Sequence, residues 1–166
     1  KSILTREFWI DFKKYKISSF NGVPYAYKII DMAKASGADC VKIQTYTPET
    51  LTIDCMLPDF QINDGLWEGQ TLYELYNSAY TPWEWHELLF DYAKKVGITI
   101  FSSPFDNTAV DLLESLGCKF YKISSFEMND LPLIKRIAKT KKPVIISTGT
   151  SNLKEITETY HFAKKN

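Results

Sequence analysis

The run Asp39-Cys40-Val41-Lys42-Ile43-Gln44-Thr45 sets an ammonium in the middle of an apolar, β-branched segment. It follows a helical stretch stopped by Gly37, and its composition is that of a buried strand. Gln44 stands two residues beyond Lys42 and therefore shares its face. A buried ammonium is costly unless an anion or hydrogen-bond acceptors compensate it. The same device returns at Phe120-Tyr121-Lys122-Ile123-Ser124-Ser125. Two lysines on two strands imply that the strands converge on something anionic.

The rest of the chain supplies the frame. Strands are expected at 15–20, 39–45, 98–102, 119–124 and 143–147, with helices between them. Residues 1–14 mix aromatics and charges without a clean period and take no assignment. Asn21-Gly22 marks a turn, and Ala26, Ile29, Ile30 and Ala33 then trace one helical face. The long connection 46–71 reads as loop, and Leu57, Phe60, Leu66 and Trp67 argue for a packed lid. A short helix is expected over 72–79. Thr81-Pro82-Trp83-Glu84 predicts the next start, with Thr81 as N-cap and Glu84 reaching back. Its buried stripe is Trp85, Leu89, Tyr92 and Val96. Asp106 caps a helix that points Ala109, Leu112, Leu113 and Leu116 inward, Asp130 caps another, and Ser151 opens the last.

Strand and helix alternation with short apolar strands predicts a parallel sheet covered by helices. Gln44, Ser103, Ser125 and Ser147 all fall at C-terminal strand ends, the edge that builds ligand sites in such sheets. One internal echo stands out: Tyr15-Lys16-Ile17-Ser18-Ser19-Phe20 recurs unchanged at 121–126.

Composition narrows the function. The 166 residues suffice for one domain, 45% are apolar and 24% charged, and the formal net charge is zero. Nothing favours broad electrostatic capture of nucleic acid or membrane. No apolar run reaches transmembrane length and no signal-peptide layout is present, so a cytoplasmic protein is expected. Cys40, Cys55 and Cys118 lack CxxC spacing and read as reduced, core-filling thiols.

Three readings of Lys42 and Lys122 stand side by side: stems buried with amines reaching water, a Schiff-base lysine, or charge stabilisation of a phosphate or carboxylate. The third is favoured, because two lysines with the hydroxyls of Ser103, Ser125 and Ser147 suit an oxyanion better than one carbonyl carbon. Glu127 is either a solvated loop residue or an acceptor for a polyhydroxylated substrate. His86 and His161 have no partner at metal-ligand spacing, and no metal site is expected in the chain. No Gly-rich phosphate loop, nucleophile elbow or Cys/His cluster is present.

The motifs Val-Lys-Ile-Gln-Thr (41–45), Phe-Ser-Ser-Pro-Phe (101–105), Tyr-Lys-Ile-Ser-Ser-Phe-Glu (121–127) and Ile-Ser-Thr-Gly (146–149) occur in the order seen in the sialic acid synthase family. The stretches 64–67, 72–76 and 81–86 resemble its pseudaminic acid synthase branch. This resemblance implies a TIM-type (β/α)8 barrel, here an incomplete one of about five parallel strands forming a single partial domain over 1–166. It implies a transferase that condenses phosphoenolpyruvate with an acetamido sugar, in this branch a 2,4-diacetamido-2,4,6-trideoxyhexose. The product is a nine-carbon 2-keto acid, and phosphate is released. By motif, Lys42, Ser103, Lys122, Ser125 and Ser147 would hold phosphoenolpyruvate, while Gln44, Phe105 and Glu127 would face the sugar. A divalent metal, manganese or magnesium, and a homodimer are implied by the family, with the metal ligands expected outside this chain.

Two departures bear on activity. The family's opening strand carries a glutamate, its proposed general base, before an Asn-His-Asn motif. Here Lys16 (or Lys14, depending on the gap) stands in its place, the histidine is missing, and Glu7 and Asp11 do not fit the motif. The family's metal-binding histidines, last barrel strands and small C-terminal domain are also not found in the sequence. The chain alone is therefore expected to be inactive, or to be a non-catalytic binding remnant, with exposed strand edges as a liability for folding.

Overall fold

The computed structural model describes residues 22–166. The opening strand expected at 15–20, with Lys14 and Lys16, lies outside them. In chain order the described elements are α1 (Val23–Ala35), β1 (Cys40–Thr45), α2 (Pro48–Leu51), α3 (Leu72–Ala79), α4 (Trp83–Val96), β2 (Thr99–Pro104), α5 (Asn107–Ser115), β3 (Tyr121–Ile123), α6 (Leu131–Ala138), β4 (Val144–Ile146) and α7 (Leu153–Lys165). The four described strands form one sheet in the order β1-β2-β3-β4. The ladder is parallel from β2 to β3 and from β3 to β4. Four of the five expected strands are thus present, each within a few residues of its expected bounds.

The chain divides into two compact units, with boundaries inside β1 and β2. In the first, which includes residues 22–42 and Pro82–Phe101, α1 packs on α4. Tyr27 stacks on Tyr92 with ring centroids 3.9 Å apart, and the Tyr92 hydroxyl donates to Asp31 at 2.9 Å. Both helices end as expected, at Gly37 and Gly97, whose φ values of 77° and 78° favour a residue without Cβ. The Lys34 ammonium donates to the Gly97 carbonyl at 2.8 Å.

Two expectations for α4 need correction. Pro82 occupies the N-cap position with extended ψ and no side-chain cap, so Thr81 stands one residue too early to serve. The buried stripe is Trp85, His86, Leu89 and Ala93, whereas Tyr92 and Val96 are only half-buried.

The second unit comprises Ile43–Thr81 and Ser102–Asn166. Its core gathers Ala109, Val110 and Leu113 of α5, Tyr121 and Ile123 of β3, and Leu133, Ile134 and Ile137 of α6, all essentially inaccessible. Fully burying each of the larger aliphatics contributes about 1.5–3 kcal/mol. Asp106 caps α5 through Thr108 and Ala109 N–H, and Asp130 caps α6 through Leu133 N–H, as their sequence positions predict. On α5, Val110 takes the buried place expected for Leu112 and Leu116, which are half-buried. Asn152, not Ser151, caps α7, because a reciprocal capping box with Glu155 is available only there.

The 46–71 connection is built rather than loose. It contains α2 and two 3-10 turns, and an antiparallel bridge joins Gln61 to Thr71. The Tyr73 hydroxyl donates to Glu49 at 2.6 Å, tying α3 to α2. The packed-lid expectation fails for its aliphatics: Leu57 is 63% and Leu66 65% exposed. Apolar character there does not translate into burial. No helix among the described residues is long and apolar enough to cross a membrane.

Candidate functional site

Strand register decides which side chains share a face. Ser102 lies beside Tyr121, and β3 pairs with β4 as Tyr121 to Val144, Lys122 to Ile145 and Ile123 to Ile146. One step along the β2–β3 register brings Ser103 beside Lys122. Since in-register neighbours in a parallel sheet point to the same side, Ser103, Lys122 and Ile145 form one row. The alternate row is the helix side, where the Tyr121 hydroxyl donates to Glu114 of α5. On β1, Thr45 joins that helix side through its hydroxyl contact with Ser102 at 2.6 Å. Gln44, its neighbour, takes the opposite face and is half-buried.

The row carries an unmet polar demand. Ser103 is 1% exposed, and its hydroxyl has no hydrogen-bond partner among the described residues. A buried hydroxyl left without a partner costs about 1–3 kcal/mol, which a bound acceptor would recover. Burial also pushes the Lys122 ammonium below its ordinary pKa, with the Glu127 carboxylate opposing that shift. Glu127 responds in kind: burial pushes it up and Asp130 adds to this, while Lys122 draws it down. Each of the two groups thus acts on the titration of the other. Among the described residues neither closes an ion pair within bonding distance.

Beyond the strand ends, the β3 and β4 exits are tied together. Ser147 N–H donates to the Ile123 carbonyl at 3.1 Å, and the Thr150 hydroxyl donates to the Ser125 carbonyl at 2.6 Å. A Cβ on Gly149 would meet Ser125 at 3.9 Å, an ordinary contact, so the two exits lie side by side. Ser125 and Ser147 are both half-buried here. At the β2 exit, the Phe105 ring stands edge-on to buried Tyr46 at 5.4 Å, and Tyr46 in turn meets Tyr76 of α3 at 6.1 Å. Lys42 lies in the first unit, half-buried midway along β1.

Some residues escape the sequence reading. Ser124 donates its hydroxyl to Glu127, and the signal for it is the S-x-x-E spacing of 124–127, the pattern of a capping box. The Thr45–Ser102 contact has no local signal, because it depends on register. His86 is fully buried, with Nδ1 3.1 Å from the Pro82 carbonyl, and burial pushes its pKa down. His161 is exposed on α7. No group of three or more His, Cys, Asp or Glu side chains suited to a metal comes together among the described residues. These residues therefore do not fit the divalent ion that the resemblance implies.

Residues 29–166 match the NeuB family. The chain belongs to that family. It is 48% identical to the pseudaminic acid synthase of Helicobacter pylori over 132 residues, covering 80% of this chain and 39% of that protein. Against the pseudaminic acid synthase of Campylobacter jejuni serotype O:2 it is 50% identical over 131 residues, covering 79% and 38%. The chain thus spans about two fifths of the length of these relatives. Among solved structures, an N-acetylneuraminic acid synthetase from Leptospira borgpetersenii, crystallised with citrate, superposes with a TM-score of 0.72 at 25% identity. That match covers 86% of this chain and 45% of the other. The fold is the α/β fold of the sialic acid synthases, represented here by four strands of its parallel sheet.

Proposed function

We propose that this chain supplies the phosphoenolpyruvate-holding half of a pseudaminic acid synthase. In the complete protein, C3 of phosphoenolpyruvate attacks the aldehyde carbon of an open-chain 2,4-diacetamido-2,4,6-trideoxyhexose. Water adds at C2, the C–O bond to phosphorus-bearing oxygen breaks, and inorganic phosphate leaves with a nine-carbon 2-keto acid. The observation that carries this reading is the buried Ser103 hydroxyl, without a hydrogen-bond partner among the described residues and in register with Lys122. A hydroxyl donor beside an ammonium is suited to a phosphate or carboxylate oxygen.

In this reading Lys42, Lys122, Ser103, Ser125 and Ser147 neutralise and orient phosphoenolpyruvate. Gln44 and Glu127 hydrogen-bond the sugar, and the Phe105 ring packs on its carbon skeleton. The protein's own contribution is positioning and charge stabilisation rather than covalent chemistry. A divalent metal belongs to the reading as a Lewis acid for the aldehyde, held by residues other than those described here. The reading also places the enzyme in the cytoplasm, with its phosphoenolpyruvate supply, and as a homodimer.

The test is calorimetric titration of phosphoenolpyruvate, paired with a product assay on the protein extended to the length of its relatives. Binding that falls at least tenfold in Lys122→Ala, together with 2-keto acid formation in the extended protein, is the expected result. Lys16 (or Lys14, depending on the gap), where the family has a glutamate, favours a second reading: binding without turnover. Retained binding with no product in the extended protein selects that second reading. A substrate adduct trapped by borohydride on Lys42 or Lys122 would replace both with a Schiff-base aldolase.

A further inference from the structure

The exit from β3 folds back on itself. Glu127 N–H donates to the Ser124 carbonyl at 3.2 Å, closing the turn that opens the 3-10 segment Phe126–Asn129. In the same turn the Ser124 hydroxyl donates to Glu127 Oε2. Main chain and side chain of one serine thus grip both ends of one glutamate.

We propose that Ser124 is a positioning residue for Glu127: it occupies Oε2 and so presents Oε1 to an N–H or O–H donor of the sugar. The proposal rests on the reading of Glu127 as a sugar ligand. An ionised carboxylate is acceptor-only, with two oxygens and a freely turning plane. A half-buried carboxylate that can rotate meets a substrate donor in many orientations, and most of them are unproductive. One fixed donor on Oε2 selects the plane.

The same hydrogen bond favours the accepting form of the carboxyl. A donor to the ionised state favours that state against the burial that drives it toward the neutral acid. Two charges also face Glu127: Lys122 supports ionisation and Asp130 opposes it. Ser124 works alongside Lys122, but Lys122 is also needed for phosphoenolpyruvate. A serine devoted to the glutamate separates orientation of the sugar from capture of the anion.

The test is steady-state kinetics of the complete synthase carrying this chain, with folding checked by circular dichroism. Ser124→Ala should raise KM for the sugar about tenfold, leaving KM for phosphoenolpyruvate near the parent value. It should also shift the acid limb of kcat/KM for the sugar to higher pH, since the carboxylate loses a donor. Ser124→Thr, which keeps the hydroxyl, should restore both. Should the alanine variant fail to fold, Ser124→Cys, similar in size with a far weaker donor, takes its place. An unchanged sugar KM and acid limb would overturn the proposal, and so would an equal rise in both KM values. Glu127→Gln separates the two levels: if it leaves the sugar KM untouched, the reading of Glu127 itself is wrong.

Discussion

The Thr45 hydroxyl lies 2.6 Å from the Ser102 hydroxyl, on the helix side of the sheet and fully buried. Ser102 Oγ also reaches the Ile43 carbonyl at 3.2 Å, and either hydroxyl can be the donor in the 2.6 Å contact. Removing either hydroxyl leaves the other with a lost partner. Thr45→Val and Ser102→Ala should each cost about 1–3 kcal/mol, and the double variant should cost clearly less than their sum. Urea unfolding of the four proteins measures this; strict additivity would mean that the contact carries no energy.

Lys122 sets binding against stability. Lys122→Met removes a charge that burial disfavours, so the thermal midpoint should rise while phosphoenolpyruvate affinity falls by at least tenfold. The pH dependence follows from the sign of the shift. With the folded pKa lowered, the unfolded chain holds the proton more tightly, so the wild type gains stability as pH rises through that folded value. Unfolding midpoints across the alkaline range should show this gain in the wild type and its loss in the variant.

Glu127 has the opposite sense. Burial raises its folded pKa, so its contribution is full in acid and is lost as pH rises through the folded value. Glu127→Gln should flatten that part of the stability profile. Thermal melts from the acid range to neutrality decide the matter, and parallel curves for the two proteins would count against a buried carboxyl.

Glu114 anchors β3 from the helix side, accepting the Tyr121 hydroxyl and pairing with Lys142. Burial alone would raise its pKa, yet the Lys142 and Tyr121 hydrogen bonds outweigh it and hold the carboxyl below its ordinary range. Its contribution is therefore present above that ordinary range and disappears as pH falls through the folded value. Glu114→Gln should cost about 1–3 kcal/mol at neutral pH and progressively less in acid, read from urea midpoints. A cost that does not vary with pH would place the effect in packing.

What the sequence disclosed was local. Asp106, Asp130, Gly37 and Gly97 act within a turn of where they stand, so their roles follow from neighbours alone. Thr81 misled because Pro82 can hold the N-cap position by its own extended backbone, and a proline is equally at home one residue later. Leu57 and Leu66 misled because hydrophobicity states a preference for burial and not the presence of something to be buried against. The placement of Ser103 and Lys122 on neighbouring strands of the sheet was legible, since alternation and strand order fix the face they share. The Thr45–Ser102 contact was not, and the grip of Ser124 on Glu127 left only the S-x-x-E spacing as its trace. One needs the register of two strands and the other a turn that doubles back.

Cys118 sits just ahead of β3, 1% exposed, its sulfur 3.2 Å from the Phe120 carbonyl and its thiol pushed up by burial. In a background with Cys40 and Cys55 changed to serine, a thiol reagent can reach it only when that corner parts from its neighbours. The rate of its modification then becomes a clock for breathing of the sheet. A substrate that tightens the β3 exit should slow that clock before any product is made.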